Sequence, residues 1–463
     1  MLSSPNNTLV LVRDGACSGV PPKDDGNAAD TITISLACLK KKALPIDSRC
    51  RLRPFVYICV LSPVLYNIPA LISNDWEIRN CFHRVYSSRL FVGYFKAMSR
   101  WVRSFSSLPY RLSSGTNSGS PGFEIFRDVL PLREYRRNLL LSKKTVGLVP
   151  TMGALHEGHL SLIRQAAREN TDVVVSIYVN PTQFGVNEDL ESYPRTWAED
   201  IQRLQELDRE LSPAGAKDQS AAPPGRISAV FAPTTKVMYP TLPPTSEING
   251  NGSFVTITPL SCLLEGASRP VFFRGVATVC MKLFNIVTPE RVYFGQKDVQ
   301  QTVVIRRMVK DLYVNTEVKI GPTVREPDGL ALSSRNVYLG SRRRKVGLVL
   351  SAALRQAESA YSSGKHSRED ILRAARRISD AISKEQENLQ PFQRAKFEVD
   401  YISLADPESL EELDAVDSSK GAVLSGAIKM YPLEDPQPGE DCGLGEGTVP
   451  VRLIDNIILP PKP

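Results

Sequence analysis

The stretch "TVGLVPTMGALHEGHLSLIRQAARENTDVVVSIYV" (145–179) decides the fold class of this chain. Two apolar runs in it, "TVGLVP" (145–150) and "DVVVSIYV" (172–179), have the composition of buried strands. Between them, "HLSLIRQAAREN" (159–170) places apolar side chains at helical spacing. The stretch therefore predicts a strand–turn–helix–strand unit, which is typical of α/β proteins.

The turn of this unit holds two of the four histidines of the chain, His156 and His159, close to Gly153 and Gly158. A helix N-terminus favours anions, and imidazole N–H groups can donate to phosphate oxygens. The alternative is that one histidine caps the helix and the other is solvated. A glycine-bracketed pair directly after a buried strand favours an anion site.

The distribution of charge argues against nucleic-acid binding. The chain of 463 residues has a net charge of +7, but residues 1–122 carry 15 Lys and Arg against 7 Asp and Glu. The remaining residues carry 42 basic and 43 acidic side chains and are therefore nearly neutral. A balanced folded part does not offer the broad basic face that binds nucleic acid by counterion release.

Cysteine usage indicates a reducing compartment and no metal cluster. The chain has 8 cysteines, none of them in a CxxC pair, and no histidine completes a zinc pattern with them. We therefore predict neither a disulfide framework nor a protein-bound metal.

Residues 1–122 lack sustained periodicity and are predicted to be a disordered or targeting extension. From Met98 the sequence "MSRWVRSFSSLPYRLSSGTNS" is rich in Arg and Ser and free of acid, as in mitochondrial transit peptides. A disordered leader, or a true start at Met98, is the alternative, so the expected location is cytoplasmic or, alternatively, mitochondrial. An apolar run at 55–72 is interrupted by Pro63 and Pro69, so no stable membrane association is expected.

The rest of the chain divides into two predicted domains, 123–337 and a smaller one at 338–463. Low-complexity residues 212–228 and the Pro-, Gly- and acid-rich residues at about 431–450 are predicted to be surface insertions.

Four further elements are predicted from composition and periodicity. "FRDVLPLREYRRNLLLSKK" (126–144) indicates a first helix, and "RKVGLVLSAALRQAESAYSSG" (344–364) a later one. "AVFAP" (229–233) and "VRLIDNIIL" (451–459) indicate strands.

A second motif, "VNPTQFG", follows the strand that ends near residue 179. Open α/β sheets place ligands at the carboxyl ends of their strands. Asn180 and Gln183 offer neutral donors and acceptors there, which suits a small hydroxylated substrate. A simple Asn-Pro turn would explain Asn180 but not Gln183.

A third motif, "RVYFGQKDVQQ", ends a strand at Gly295 and opens a helix. Lys297 can neutralise a phosphate, Asp298 can accept a ribose hydroxyl, and Gln301 lies one turn on. Taken alone, the Lys-Asp pair is better explained as a helix cap.

A fourth motif, "REPDGLALSSRNVYL", places Ser333, Ser334 and Arg335 on a loop with Gly329. Two hydroxyls and a guanidinium suit closure over a polyphosphate, where arginine offsets charge on the leaving group. A lone Ser-Ser-Arg is common in flexible loops. Neither GxxxxGK[ST] nor GxGxxG occurs, so the usual glycine-rich phosphate loops are absent from the sequence.

"HEGH" followed at long range by a hydroxyl/basic loop resembles the HIGH…KMSKS arrangement of the nucleotidyltransferase superfamily. In full, "PTMGALHEGH", "VNPTQFG", "YPRT", "FFRGVATVCMKLFNIVTPERVYFGQKDVQQ" and "VREPDGLALSSRN" resemble the pantoate–β-alanine ligase (pantothenate synthetase) family over roughly residues 123–463. Two positions depart from the family pattern: Leu332 stands where Met is common, and Gln296 where Glu or Lys is usual.

The resemblance implies a Rossmann-like parallel-sheet domain with a smaller C-terminal α+β domain, and a homodimer. It also implies a two-step reaction. ATP activates the carboxylate of (R)-pantoate as an acyl-adenylate and releases pyrophosphate, with Mg²⁺ on the phosphates. The amine of β-alanine then attacks the adenylate, which gives pantothenate and AMP.

The resemblance also implies the site residues. Catalysis would fall to His156, His159, Lys297 and Arg335, with His159 as proton donor, although departing pyrophosphate needs charge stabilisation more than a proton. Pantoate would contact Gln183 and Gln301, and β-alanine would contact Gln183 and Asn180. The residues implied for ATP are Met152, Gly153, Ala154, Leu155, His156, Glu157, Gly158, His159, Gly295, Gln296, Lys297, Asp298, Val324, Leu332, Ser333, Ser334 and Arg335.

Two alternatives remain at this stage. A tRNA synthetase or cytidylyltransferase would share the superfamily motifs, but the neutral body and the lack of a second basic domain count against tRNA binding. A non-catalytic binding protein is disfavoured because all four motifs are intact.

Overall fold

The structure is a computed structural model, and it describes residues 122–462 apart from 187, 213–224, 242 and 248. The predictions for the extension, for the segment from Met98 and for the apolar run at 55–72 lie outside the described residues. Within the described part, every helix is too short or too polar to cross a bilayer.

The described residues form nine strands and ten α-helices, and they belong to one compact unit. The strands are β1 Glu124–Phe126, β2 Val146–Thr151, β3 Asp172–Ile177, β4 Arg226–Phe231, β5 Arg291–Gly295, β6 Glu317–Gly321, β7 Phe397–Ala405, β8 Ala422–Met430 and β9 Val451–Leu459. The helices are α1 Val129–Leu141, α2 Glu157–Glu169, α3 Trp197–Leu211, α4 Thr235–Met238, α5 Glu265–Ser268, α6 Phe272–Val287, α7 Val299–Asp311, α8 Gly340–Gly347, α9 Val349–Ser362 and α10 Arg368–Asn388.

The first six strands form one parallel sheet in the order β1-β4-β3-β2-β5-β6. β2 precedes β3 and β5 in the chain, and these two strands lie on either side of it in the sheet. The strand order therefore reverses beside β2, and the crevice outside the carboxyl ends of β2 and β5 is where such sheets bind ligands. The turn with the histidine pair follows β2, and the turn with Lys297 follows β5.

Helices cover both faces of this sheet, as a parallel sheet requires. On one face α2 and α3 bury Ile163, Ala166 and Leu204 against the strands. On the other face α6 and α7 bury Val276 and Val304. The predicted α/β class is confirmed by this arrangement.

The strands β7, β8 and β9 form a separate antiparallel sheet. Helices α9 and α10 cover one face of it with an apolar core of their own that includes Leu354, Ile371 and Leu424. The predicted smaller C-terminal α+β part is therefore present. The boundary at residue 338 stays a prediction.

Three predicted elements differ from the structure. The first helix begins at Val129 rather than Phe126, because residues 124–126 pair with β4 as a three-residue edge strand that is too short to show a pattern. The low-complexity segment ends before Arg226, which already pairs with Asp172 in the sheet. The helix predicted at 344–364 is broken at Leu348, where a side chain on Gly347 would press against Leu453 of β9.

Residues 431–450 contain no helix or strand in the structure. They are nevertheless held by two arginines of α8. Arg342 donates to the carbonyl of Glu434 at 3.0 Å, and the fully buried Arg343 donates to that of Val449 at 2.6 Å. The segment is therefore a loop fixed to the start of the C-terminal part.

Candidate active site

A cavity of about 930 Å³ lies at the carboxyl ends of β2, β3 and β5 and is closed on one side by β7, β8 and β9. This volume is in the range of sites that hold small molecules and cofactors. Most of the predicted site residues line it, and they come from all four motifs: Met152, His156, Gly158, His159, Asn180, Gln183, Gly295, Lys297, Asp298, Gln301, Val324, Leu332, Ser333, Ser334 and Arg335.

The two histidines of the turn are stacked, with ring centroids 4.0 Å apart. His156 caps α2: its Nδ1 accepts from the amide of Gly158 at 3.2 Å. The Nδ1 of His159 in turn accepts from the amide of His156 at 3.3 Å. The capping alternative is therefore correct for His156, but His159 is partly buried rather than solvated. Because each neutral ring accepts at Nδ1, the hydrogen of each ring must lie on Nε2.

Both rings are neutral at pH 7. Burial, and then the positive charge of Lys297, lower the pKa of His156 to about 4. Burial, the neighbouring His156 and Lys297 lower the pKa of His159 well below its ordinary value. The pair therefore offers two N–H donors to the cavity rather than two cations.

The backbone of the turn is held by an aspartate that the sequence analysis missed. Asp200, buried on α3, accepts from the amides of Ala154 at 3.0 Å and Leu155 at 2.7 Å. Gly153 makes the turn possible with a φ of 86°. These three turn residues do not line the cavity, and the amides of Ala154 and Leu155 are already engaged by Asp200, so their contact with ATP stays a prediction.

Two more residues implied for ATP lie outside the cavity lining. Glu157 is exposed and forms an ion pair with Arg164. Gln296 turns to the C-terminal sheet and donates to Asn456 of β9 at 3.3 Å. The side chain of Gln296, which departs from the family pattern, therefore contacts β9 and does not line the cavity.

Asn180 is a supporting residue rather than a free donor. It is 1% exposed, and its oxygen accepts from the hydroxyl of Tyr239 at 2.7 Å. Its amide nitrogen donates to the carbonyl of Gly275 and to Oε1 of Gln183, both at 3.1 Å. A saturated side chain has no group left for a ligand, which counts against the expected contact between Asn180 and β-alanine.

Gln183 is the residue that Asn180 orients. Among the described residues, its Nε2 donates only to the sulfur of Met152, at 3.1 Å, and sulfur is a weak acceptor. The backbone beside it is packed closely, since a Cβ on Gly275 of α6 would lie 2.5 Å from the nitrogen of Gln183. The side-chain amide is therefore held in place while its N–H groups remain available to a ligand.

The loop of the fourth motif is tied to the segment that follows β3. Ser333 caps the short helix Ser334–Tyr338. The hydroxyls of Ser334 and Tyr193 are 3.2 Å apart. Arg335 forms two hydrogen bonds with Asp189, at 2.9 and 2.8 Å. Tyr193 and Asp189 also line the cavity, but neither was predicted, because such contacts join positions about 140 residues apart.

The C-terminal sheet fixes the turn that carries Lys297. The amide nitrogen of Asn456 donates to the carbonyls of Gln296 at 2.9 Å and Lys297 at 2.8 Å. Asn456 is buried in the middle of the apolar strand β9. A polar side chain in such a run is a signal that could have identified it.

The cavity has no protein-built metal cage: among the residues that the structure describes, no group of three or more His, Cys, Asp or Glu could hold a metal ion. Its polar groups are hydrogen-bond donors, hydroxyls and paired charges. Such a set is suited to binding and positioning a phosphorylated ligand and a small polar one.

Comparison with known proteins identifies the family. A family model described as "Pantoate-beta-alanine ligase" matches residues 124–458. The pantothenate synthetase of Roseiflexus castenholzii is 43% identical over 333 residues, which is 72% of this chain and 99% of that protein. The pantoate–β-alanine ligase of Saccharomyces cerevisiae is 40% identical over 346 residues, 73% of this chain and 100% of that protein.

Solved structures give the same result. The pantothenate synthetase of Thermus thermophilus is 37% identical with a TM-score of 0.56, over 73% of this chain and all of that chain. The Francisella tularensis ligase, crystallised with β-γ ATP and β-alanine, is 30% identical with a TM-score of 0.50, over 73% of this chain and 97% of that chain. The chain therefore belongs to the pantoate–β-alanine ligase family.

Proposed function

We propose that this chain condenses (R)-pantoate with β-alanine to pantothenate, using ATP and releasing AMP and pyrophosphate. The observation that carries the proposal is one cavity that is lined both by two neutral imidazole donors with Lys297 and by Gln183 with Gln301. The first group suits phosphates, and the second suits a small hydroxylated acid. The substrates named in the Francisella complex agree with this assignment.

In the first step, a carboxylate oxygen of pantoate attacks the α-phosphorus of ATP. The bond from that phosphorus to the bridging oxygen breaks, and pyrophosphate leaves with the electron pair. Nε2–H of His156 and His159 and the ammonium of Lys297 stabilise the charge that develops on the leaving group. No proton needs to be transferred, so we assign His159 as a hydrogen-bond donor.

In the second step, the ammonium of β-alanine gives one proton to solvent, and the neutral amine attacks the acyl carbon of pantoyl adenylate. The bond from that carbon to the AMP oxygen breaks, AMP leaves with the electron pair, and the nitrogen releases a second proton to solvent to give the amide. The role of the protein in this step is to hold the two reactants together, which alone can supply a large part of the rate.

Asp298, Val324, Leu332, Ser333, Ser334 and Arg335 complete the ATP site in this proposal. Arg335 is held by Asp189 through Nε and Nη2, which leaves Nη1 for a phosphate. The residues present do not build a metal cage. We propose that Mg²⁺ enters bound to ATP, since this ion usually keeps phosphate and water ligands.

Exchange of labelled pyrophosphate into ATP tests the function. We expect exchange that requires pantoate and does not require β-alanine or tRNA. Exchange that depends on another carboxylic acid, or no exchange with pantoate in a folded preparation, would overturn the proposal. A cytidylyltransferase would instead exchange pyrophosphate into CTP.

We also propose that the chain forms a homodimer and that it is cytoplasmic. Mitochondrial import through the segment from Met98 is the alternative location. Light scattering of the full chain measures the first. Fusion of residues 98–122 to a fluorescent reporter measures the second: a uniformly cytosolic signal rejects import, and a mitochondrial one rejects purely cytoplasmic residence.

A further inference from the structure

An ion pair on the cavity wall has no role in the two steps above. Arg269 follows α5, and Glu188 lies in the segment after β3; both line the cavity. Nε of Arg269 donates to Oε1 of Glu188 at 2.9 Å, and Nη2 donates to Oε2. Their side chains are only 15% and 25% exposed, so the pair is largely shielded from solvent.

The guanidinium of Arg269 is fixed beside Gln183. Nη2 lies 3.5 Å from the carbonyl oxygen of Gln183. The guanidinium carbon lies 3.8 Å from the ring centroid of Phe272, which also lines the cavity. Nη1 makes no hydrogen bond to any described residue, so two N–H donors of a positioned fork remain for a ligand.

The other cations of the cavity are committed elsewhere. Arg452 is paired with both Glu265 and Asp400. Arg335 is held by Asp189 and its free Nη1 is assigned to a phosphate in the proposed ATP site, while Lys297 lies by the histidine pair. Lys429 is exposed on β8. Arg269 is therefore the shielded cation with free donors next to the residue that we assign to pantoate.

We infer that Arg269 binds the carboxylate of β-alanine and that Glu188 holds the guanidinium in position for it. The inference rests on the proposed function and extends it, because the neutral amides expected for β-alanine cannot compensate its negative charge. The two free N–H groups of Nη1 can donate to a carboxylate, and such charge-assisted hydrogen bonds are stronger than neutral ones. Two methylenes separate the amine of β-alanine from its carboxylate by about 5 Å, so anchoring one end leaves the amine free to reach an acyl group held at Gln183.

The charge of the reactants makes such an anchor necessary. Pantoyl adenylate carries a negative phosphate, which repels the carboxylate of an approaching β-alanine in a cavity of low dielectric. A fixed cation removes that repulsion. It also makes the carboxylate a condition of tight binding, so an amine of similar size without a carboxylate is a poor substrate.

The test compares β-alanine with propylamine as acceptor of supplied pantoyl adenylate, in the wild-type chain and in Arg269→Gln. The wild type is expected to prefer β-alanine by about 10²-fold in kcat/KM, and Arg269→Gln to lose most of that preference. Pyrophosphate exchange with pantoate should stay within a few-fold of wild type. Arg373→Gln, on the exposed face of α10, is the matched control and should keep both activities.

A second variant tests the role of Glu188 as a positioning residue. Glu188→Gln leaves the charge of Arg269 in place but removes the carboxylate that holds its guanidinium in position. It is expected to raise KM for β-alanine several-fold, with kcat at saturation and the rate with propylamine unchanged. A fall in kcat with an unchanged KM would contradict this role.

Three results separate failure of the inference from failure of the function. A wild-type chain that shows no preference for β-alanine over propylamine overturns the inference without any variant. An Arg269→Gln chain that retains the preference, or loses pyrophosphate exchange to the same degree as β-alanine transfer, also overturns it. Absence of pantoate-dependent exchange in the wild type overturns the proposed function itself.

Discussion

At His159 the ring nitrogen Nδ1 is occupied by the amide of His156, so the side chain can serve a ligand only through Nε2–H. Loss of one preorganised donor to a leaving group costs about 10²–10³ in rate. We expect His159→Ala to slow single-turnover adenylation by this factor. Amide formation from supplied pantoyl adenylate should change little, because no pyrophosphate leaves in that step.

Gln183→Ala is the matched variant, and weaker pantoate binding should be its main defect. Equal loss of both half-reactions in His159→Ala, or adenylation near the wild-type rate, would contradict the assignment of His159 to the leaving group.

His156 also has a predictable effect on stability. Its pKa is about 4 in the folded protein and near 6.5 when unfolded. Between these values the unfolded chain binds more protons, so the free energy of unfolding falls as the pH is lowered from about 6.5 to about 4. His156→Asn keeps a good helix cap but cannot titrate. Urea unfolding across this range should therefore show a smaller loss of stability in the variant, and an equal loss would contradict the lowered pKa.

Individual site residues were predictable only where a motif carries them. The histidine pair, Gln183, Gln301 and Lys297 all lie next to strand ends that the sequence reveals. The contact of Asn180 with β-alanine stays a prediction, and the bonds that saturate its side chain were not predictable, because Tyr239 and Gly275 lie far along the chain. Asp200 gives no local signal, since an acidic residue in the first turn of a helix is ordinary.

Among the elements, α3 acts on the active site through Asp200. Removing this carboxylate leaves the buried amide of Leu155 and the partly buried amide of Ala154 without acceptors, and loss of a buried acceptor costs about 1–3 kcal/mol. We expect Asp200→Ala to lower the free energy of unfolding by at least that amount and to raise KM for ATP. Urea denaturation and steady-state kinetics measure the two effects.

Asp200→Asn is the control for this prediction. An amide oxygen can still accept one of the two bonds, so an intermediate loss is expected. Stability equal to wild type in Asp200→Ala would show that the turn does not depend on this contact.

Helices and strands with a regular apolar pattern along their length were predicted correctly from the sequence. Short or interrupted elements were not. α2, β3, β5 and β9 each bury a regular apolar pattern. β1 has three residues, and its place in the sheet depends on pairing with β4. The break at Leu348 reflects the approach of Gly347 to β9, which a one-dimensional pattern does not contain.

At the scale of the whole molecule, we expect the extension to be dispensable for catalysis. A chain that begins at Ser120 should fold and show pantoate-dependent exchange. A chain that begins at Glu124 should be less stable by ~3 kcal/mol, because it lacks the buried Phe123. It also lacks the carbonyl of Gly122, which accepts from Arg226. Thermal unfolding compares the two, and loss of folding in the longer one would refute dispensability.

The low pKa values of the histidine pair have a consequence for where the enzyme can work. Neutral imidazoles that do not titrate near neutrality deliver the same donors at the pH of the cytoplasm and in the more alkaline mitochondrial matrix. A change from one compartment to the other would therefore require no change in the pKa values of these two rings. A difference in location would require no change in the turn that we propose for phosphate binding.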